Sequence, residues 1–235
     1  MQRIAIILTL ALLSSSLFSQ VDRPRNLSSF DYKKLHWGFT VGLNSMDYSV
    51  KRNEADPDFL WADVQGFQPA GFQVNIVSDL RLSDYWNLRF LPGINLGSRQ
   101  VTYFDAGSFE PEITFTVGSS YLDFPLLLKY RSERVNNYRP YVIGGLSYRL
   151  DMSAKSRYDP DGDDEFLVKS SDLYLEAGFG IDNYLQFFKF STEIKVAMGL
   201  RNLLIPGIYR AENQSYVDSL EGLRSFLVMV NFHFE

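Results

Sequence analysis

The chain has two imidazoles, His36 and His233, and no cysteine. Imidazole titrates near neutrality and ligates metals, so a pair could form a base or a metal site. His36 opens the first strand-like segment and His233 nearly ends the last, so closing the sheet would make them neighbours facing the same side. No carboxylate or third ligand is evident beside them, and a polar rim explains them better. Tyr158 to Glu165 reads YDPDGDDE and concentrates Asp159, Asp161, Asp163, Asp164 and Glu165, oxygen donors suited to calcium. Gly162 is misplaced for an EF-hand loop and Ser170 stands where the closing Glu belongs, so a solvated acidic loop is expected. The absence of G-x-S-x-G, a phosphate-binding glycine loop and H-E-x-x-H completes the expectation: no enzyme, no metal and no cofactor.

The other charged residues matter through their spacing. Eight successive segments place apolar or aromatic residues on one parity and small or polar ones on the other, the period of a strand with two unlike faces. Leu35, Trp37, Phe39, Val41 and Leu43 oppose His36, Gly38, Thr40, Gly42 and Asn44 in the first. Later segments centre on 72–76, 86–96, 122–129, 142–151, 173–182, 188–198 and 226–234. Arg89, Asp123, Lys129, Arg149, Glu176, Glu193 and Lys195 all fall on the less apolar parity. A lipid-facing surface tolerates almost no charge, whereas a narrow lumen holds paired charge of mixed sign. The pattern therefore predicts an all-β fold, an eight-stranded antiparallel transmembrane β-barrel with a packed, salt-bridged interior. Val77 and the stretch from Ser119 to Tyr121 read as interruptions.

Connection lengths fit this reading. Short connections fall near 83–85, 132–138 and 184–187, and longer polar ones near 49–69, 104–111, 154–170 and 201–221. In outer-membrane barrels short turns face the periplasm and long loops face outside, which predicts four longer extracellular loops and both termini periplasmic. Trp37, Tyr85, Trp86, Tyr130, Tyr138, Tyr184 and Phe234 gather at segment ends, where amphipathic rings settle at membrane interfaces.

The opening MQRIAIILTLALLSSSLFSQ puts Arg3 before an apolar run from Ile4 to Leu13 and ends in small residues. That is a secretory signal, with cleavage expected after Ser19, and the run is too short for a helix spanning about 20 residues. The expected divisions are a signal peptide at 1–19, an N-terminal periplasmic segment at 20–34 and the barrel at 35–235. With 235 residues, 14 Tyr, 19 Phe and a formal net charge of −5, the chain fits one strand-rich domain and lacks the basic character of a nucleic-acid binder. Outer-membrane lipid is the expected environment, without a small-molecule substrate.

Three stretches carry a resemblance: KKLHWGFTVGLN at 33–44, LPGINLGSR at 91–99 and YLDFPLLLKYRSERVNNYRPYVIGG at 121–145. The chain resembles the PorT (SprT) family of the type IX secretion system, a group of small outer-membrane barrels. LDFPLLLKY recurs in small barrels of unrelated duty, whereas RSERVNNYRPYVIGG and KKLHWGF point to the family itself. The resemblance implies a non-catalytic barrel needed to secrete cargo bearing a type IX C-terminal signal and, in gliding relatives, to deliver adhesins. Translocon subunits or cargo are the implied partners. Phe59, Leu60, Trp61 and Phe67 in the 49–69 connection are candidate contacts, since large apolar residues in a polar loop mark interfaces. The same residues could instead pack on the barrel mouth. A general structural or adhesive barrel of the OmpA/OmpX type is the alternative function.

Overall fold

A computed structural model describes residues 25–52, 61–63, 70–104, 111–154, 167–205 and 220–235. The leader expected at 1–19, the acidic stretch 158–165 and Phe59, Leu60 and Phe67 lie outside these residues. Among the described residues ten strands follow one 3-10 turn: β1 Leu35–Arg52, β2 Trp61–Asp63, β3 Gly71–Arg81, β4 Trp86–Phe90, β5 Gly93–Phe104, β6 Pro111–Arg131, β7 Tyr138–Asp151, β8 Ser171–Tyr184, β9 Lys189–Gly199 and β10 Leu220–Phe234. All pairings are antiparallel, and β1 pairs with both β10 (Val41 opposite Phe232) and β3 (Val41 opposite Val74), which closes the sheet. β2, where Trp61 lies opposite Phe104, pairs with β5 beyond the main wall.

The single strand expected over 86–96 forms in two pieces, β4 and β5, with one register. Phe90 faces Ser78 and Leu126, and Gly93 faces Asn75 and Asp123. They count as one stave of an eight-staved barrel. The break falls at Leu91 and Pro92 because proline has no N–H to give to the ladder. Pro125, across from Leu91, lacks one too. The Leu91 N–H donates to the Pro125 carbonyl at 3.2 Å, while the Leu91 carbonyl accepts from the Asn75 side-chain amide at 3.2 Å. A side chain thus replaces the donor that an antiparallel partner would supply.

The two faces of the wall differ in kind. β9 alternates buried and exposed residues for almost its whole length, and β3 does nearly the same. Outward positions include Trp37, Phe39, Leu43, Ile76, Leu126, Val142, Phe179, Ile181 and Met198, all exposed. A continuous apolar exterior of this extent is costly in water and suits lipid, in which a closed sheet also leaves no unpaired backbone edge. Among the described residues no helix is long and apolar enough to cross a membrane.

The interruption expected at Val77 is one of polarity alone. Val77 points inward, fully buried, and packs with Leu91, Leu127, Tyr141 and Ile143 as an apolar layer inside the polar lumen. Ser119 and Tyr121 likewise keep their inward parity.

Candidate functional site

The inward residues fill the lumen with ion pairs. Towards the short turns, Arg89 donates to Asp79 (2.5 Å) and Glu235 (2.8 Å), and Lys189 also pairs with Glu235 at 2.8 Å. Asn87 adds a hydrogen bond to Asp79. Next, Lys129 sits 2.8 Å from both Asp182 oxygens and 3.6 Å from the centre of the Tyr141 ring. Further along, Arg149 joins Asp123 (3.0 Å) to Glu176 (2.5 Å), and Lys195 completes the group at 2.6 Å from Glu176. Ser147 and Asn95 donate to Asp123 as well. Near the long connections Arg99 reaches Asp151 at 2.8 Å, with Ser119 and Ser225 as further acceptors.

All seven charged residues singled out from the sequence thus lie in the lumen. Arg149 brings Asp123, Glu176 and Lys195 into one group, Glu193 belongs with His233, and Arg89 and Lys129 pair with Asp79, Asp182 and Glu235, which sequence reasoning did not single out. Each of these side chains is almost wholly excluded from solvent, so an unpaired member would cost several kcal/mol, on the order of 3–5. Mixed signs let every charge find a partner.

The histidines both face inward and are buried, but their surroundings correct the sequence expectation that no carboxylate accompanies them. His233 lies 2.6 Å from the Thr40 hydroxyl through Nδ1 and 3.4 Å from Glu193 through Nε2. Tyr141 donates to the same Glu193 oxygen, Oε2, at 2.9 Å, and the Asn231 amide donates to Oε1 at 3.2 Å. Hydroxyl, imidazole and carboxylate in a row invite comparison with a catalytic triad. Here Thr40, His233 and Glu193 are at most 1% exposed, enclosed by the barrel wall, so no substrate surface reaches the hydroxyl. His36 lies opposite Asp79 in the ladder and stacks on Phe30 at 4.1 Å. No cluster of three His, Cys, Asp or Glu suited to a metal occurs among the described residues.

Both mouths are covered, which sequence reasoning missed. At the short-turn mouth, Asp31 from the segment before β1 accepts from Tyr184 (2.7 Å), Arg139 (3.2 Å) and Arg134 (3.3 Å). Burial by itself raises the Asp31 pKa, but the Tyr184 hydroxyl and the Arg139, Arg134 and Arg131 guanidiniums outweigh it and hold the carboxyl below its usual range. Asn26 bonds to Asn137 (2.9 Å) and to the Tyr184 carbonyl (3.0 Å). Tyr184 was expected among the interfacial aromatics and belongs here instead, buried and inward, on the same parity as Asp182. The other expected girdle residues point outward, with Trp86 and Tyr130 4.8 Å apart and Phe39 stacked on Phe234 at 4.9 Å.

At the opposite mouth, Leu167, Val168, Leu203 and Leu204 from two long connections pack on Tyr48, Val101, Tyr103 and Leu223 of the wall. Val168 bridges Leu204, Lys169 N donates to the Leu203 carbonyl (3.0 Å), and Leu203 N donates to the Leu223 carbonyl (2.8 Å). The sequence signal was available: LV at 167–168 and LLI at 203–205 are short apolar runs inside otherwise polar connections.

An apolar exterior, a closed antiparallel wall and a charged, paired interior define a transmembrane β-barrel of the outer membrane. The chain belongs to the family described as outer membrane protein beta-barrel domain, which matches residues 18–204. Similar solved structures include the outer membrane protein OprG from Pseudomonas aeruginosa, at 14% identity and TM-score 0.45, covering 84% of this chain and 92% of that one. Neisserial surface protein A follows at 11% identity and TM-score 0.43, covering 86% and 98%. AlkL in lipid bilayers has 10% identity and TM-score 0.40, covering 93% and 95%. No curated protein matches the chain.

Proposed function

We propose that this chain is a non-catalytic outer-membrane component of type IX protein secretion that acts by binding translocon subunits or cargo. The observation that carries the reading is the sequence resemblance over 33–44, 91–99 and 121–145. A lumen filled with paired charge and covered at both mouths supports action through surfaces over passage of cargo through the barrel. In this reading the short turns and both termini are periplasmic and the long connections are extracellular. Phe59, Leu60, Trp61 and Phe67 then present an apolar contact, and the charged network from Arg89 to Lys195 serves the wall and not chemistry. The family match speaks of a barrel and says nothing of secretion, which favours a general structural or adhesive barrel as the second reading.

Deleting the gene and following secretion of cargo bearing a type IX C-terminal signal separates the two. The secretion reading expects cargo to be retained in the deletion strain and released again on complementation. Undiminished secretion would reject it. A tagged copy, solubilised in detergent, is expected to bring down translocon subunits, and less of them when Phe59, Leu60, Trp61 and Phe67 are replaced by Ser.

A further inference from the structure

The short-turn mouth holds more cationic capacity than its own carboxylates use. A cavity of about 510 Å³ lies between the segment before β1 and the turns that follow β3 and β6. Its walls carry five guanidinium groups, from Arg25, Arg81, Arg131, Arg134 and Arg139, against the two carboxylates of Asp31 and Asp84. Arg134 and Arg139 are committed to Asp31 and to backbone carbonyls of the turns and of Asn26 in the N-terminal segment. Arg81 bonds Asp84 and the Ser83 carbonyl.

Arg131 is placed differently. Its side chain is 2% exposed and comes no nearer than 3.8 Å to Asp31. Nη2 makes one bond of 3.3 Å, to the Asp84 carbonyl, and the buried Nε has no hydrogen-bond partner among the described residues. Arg25, exposed at the rim of the same cavity, forms no ion pair among the described residues.

We propose that this cavity binds a phosphate group, presented by a lipid headgroup or free in solution. A buried N–H without an acceptor carries a large penalty that an anionic oxygen would relieve. Guanidinium groups offer forked donors matched to phosphate oxygens, and restricted solvent access strengthens their pull. The two available donors come from separate parts of the chain, Arg25 from the N-terminal segment and Arg131 from the end of β6, with Arg81 at the end of β3 lining the same cavity. That arrangement suits a tetrahedral anion with oxygens in several directions, while the planar carboxylate's place is already taken by Asp31. Tyr85 and Trp86, exposed on the outside of the same turn, set the cavity near the depth at which headgroups lie. The inference is independent of any role in secretion and is tested on the isolated protein.

The full chain, folded in non-ionic detergent, is titrated calorimetrically with inorganic phosphate, with chloride at matched ionic strength, and with dihexanoyl phosphatidylglycerol below its micellar concentration. One saturable phosphate site is expected, weakened about tenfold in both Arg25→Ala and Arg131→Gln by loss of a charge-assisted hydrogen bond, with Arg224→Ala at the opposite end unchanged. Heat-modifiable gel mobility reports folding; if Arg131→Gln does not fold, Arg25→Ala decides. Tighter binding of the lipid than of inorganic phosphate assigns the site to a headgroup, and equal binding assigns it to free phosphate. Phosphate and lipid that bind no better than chloride, or folded variants that keep full affinity, would overturn the proposal.

Discussion

Replacing Arg149 by Ala tests whether the lumen is a dry, paired interior. Arg149 is fully buried, donates to Asp123 at 3.0 Å and to Glu176 at 2.5 Å, and lies 4.3 Å over the Tyr174 ring. Truncation strands two carboxylates, but neither is left bare, because Asp123 keeps Ser147 and Asn95, and Glu176 keeps Lys195 at 2.6 Å. The loss should therefore fall near the lower end of the roughly 3–5 kcal/mol expected for breaking a buried pair. The double variant Arg149→Met with Asp123→Asn removes the charge on both sides of that pair while leaving Glu176 with Lys195, and should recover about 1.5–3 kcal/mol of that loss as coupling. Lys51 and Glu221 supply the control, since their ion pair has the same 2.8 Å separation as several lumen pairs but both side chains are more than half exposed. Lys51→Ala should give no measurable change. The assay is urea unfolding in lipid vesicles, followed by tryptophan fluorescence and by the gel shift of the folded barrel. A cost for Arg149→Ala below about 1 kcal/mol, the range of exposed pairs, would mean that water reaches the lumen and would refute the argument from burial.

Four further expectations follow from the same structure. Asp31 has a folded pKa below the unfolded value of 3.8, so its stabilisation is complete above that pH and fades as pH falls below it. Thermal midpoints of the wild type and Asp31→Asn should differ at neutral pH and converge in acid. Asn75→Leu removes the donor to the Leu91 carbonyl and should cost about 1–3 kcal/mol in the same urea assay. At Gly180 a Cβ would sit 2.6 Å from the Tyr141 ring and from the Thr192 carbonyl, so Gly180→Ala should destabilise by about 1–3 kcal/mol through overpacking. In planar bilayers the wild-type protein should show no steady conductance, and a stable open channel would contradict the filled lumen.

Parity was readable from the sequence because lipid imposes it: outward positions are predominantly apolar, so Phe39, Val41 and Leu43 stand apart from Thr40, Gly42 and Asn44 without reference to anything distant. Pairing within the lumen was not readable, since it joins strands that the sequence does not place side by side. Lys129 on β6 reaches Asp182 on β8, and Arg99 on β5 reaches Ser225 on β10. Glu193 escaped notice beside His233 because their proximity depends on the register of β9 against β10, in which Asn231 faces Glu193 and His233 faces Ser191. Tyr184 was misplaced by weighing its aromaticity above its parity with Asp182 and Tyr174. The covers of the two mouths come from connecting segments, whose positions no periodicity encodes.

The bonds that cross the lumen also have a mechanical meaning. Arg89 spans from β4 to Glu235 beside β10, Arg99 from β5 to both Asp151 on β7 and Ser225 on β10, and Lys129 from β6 to Asp182 on β8. They act as spokes across a tube whose wall alone could flatten or shear. A spoked tube resists changes of cross-section, because narrowing along one axis would stretch bonds along another. Movement imposed at one rim is then transmitted along the axis with little taken up by the wall, so the middle serves as a rigid post and any adjustment to a partner falls to the two rims.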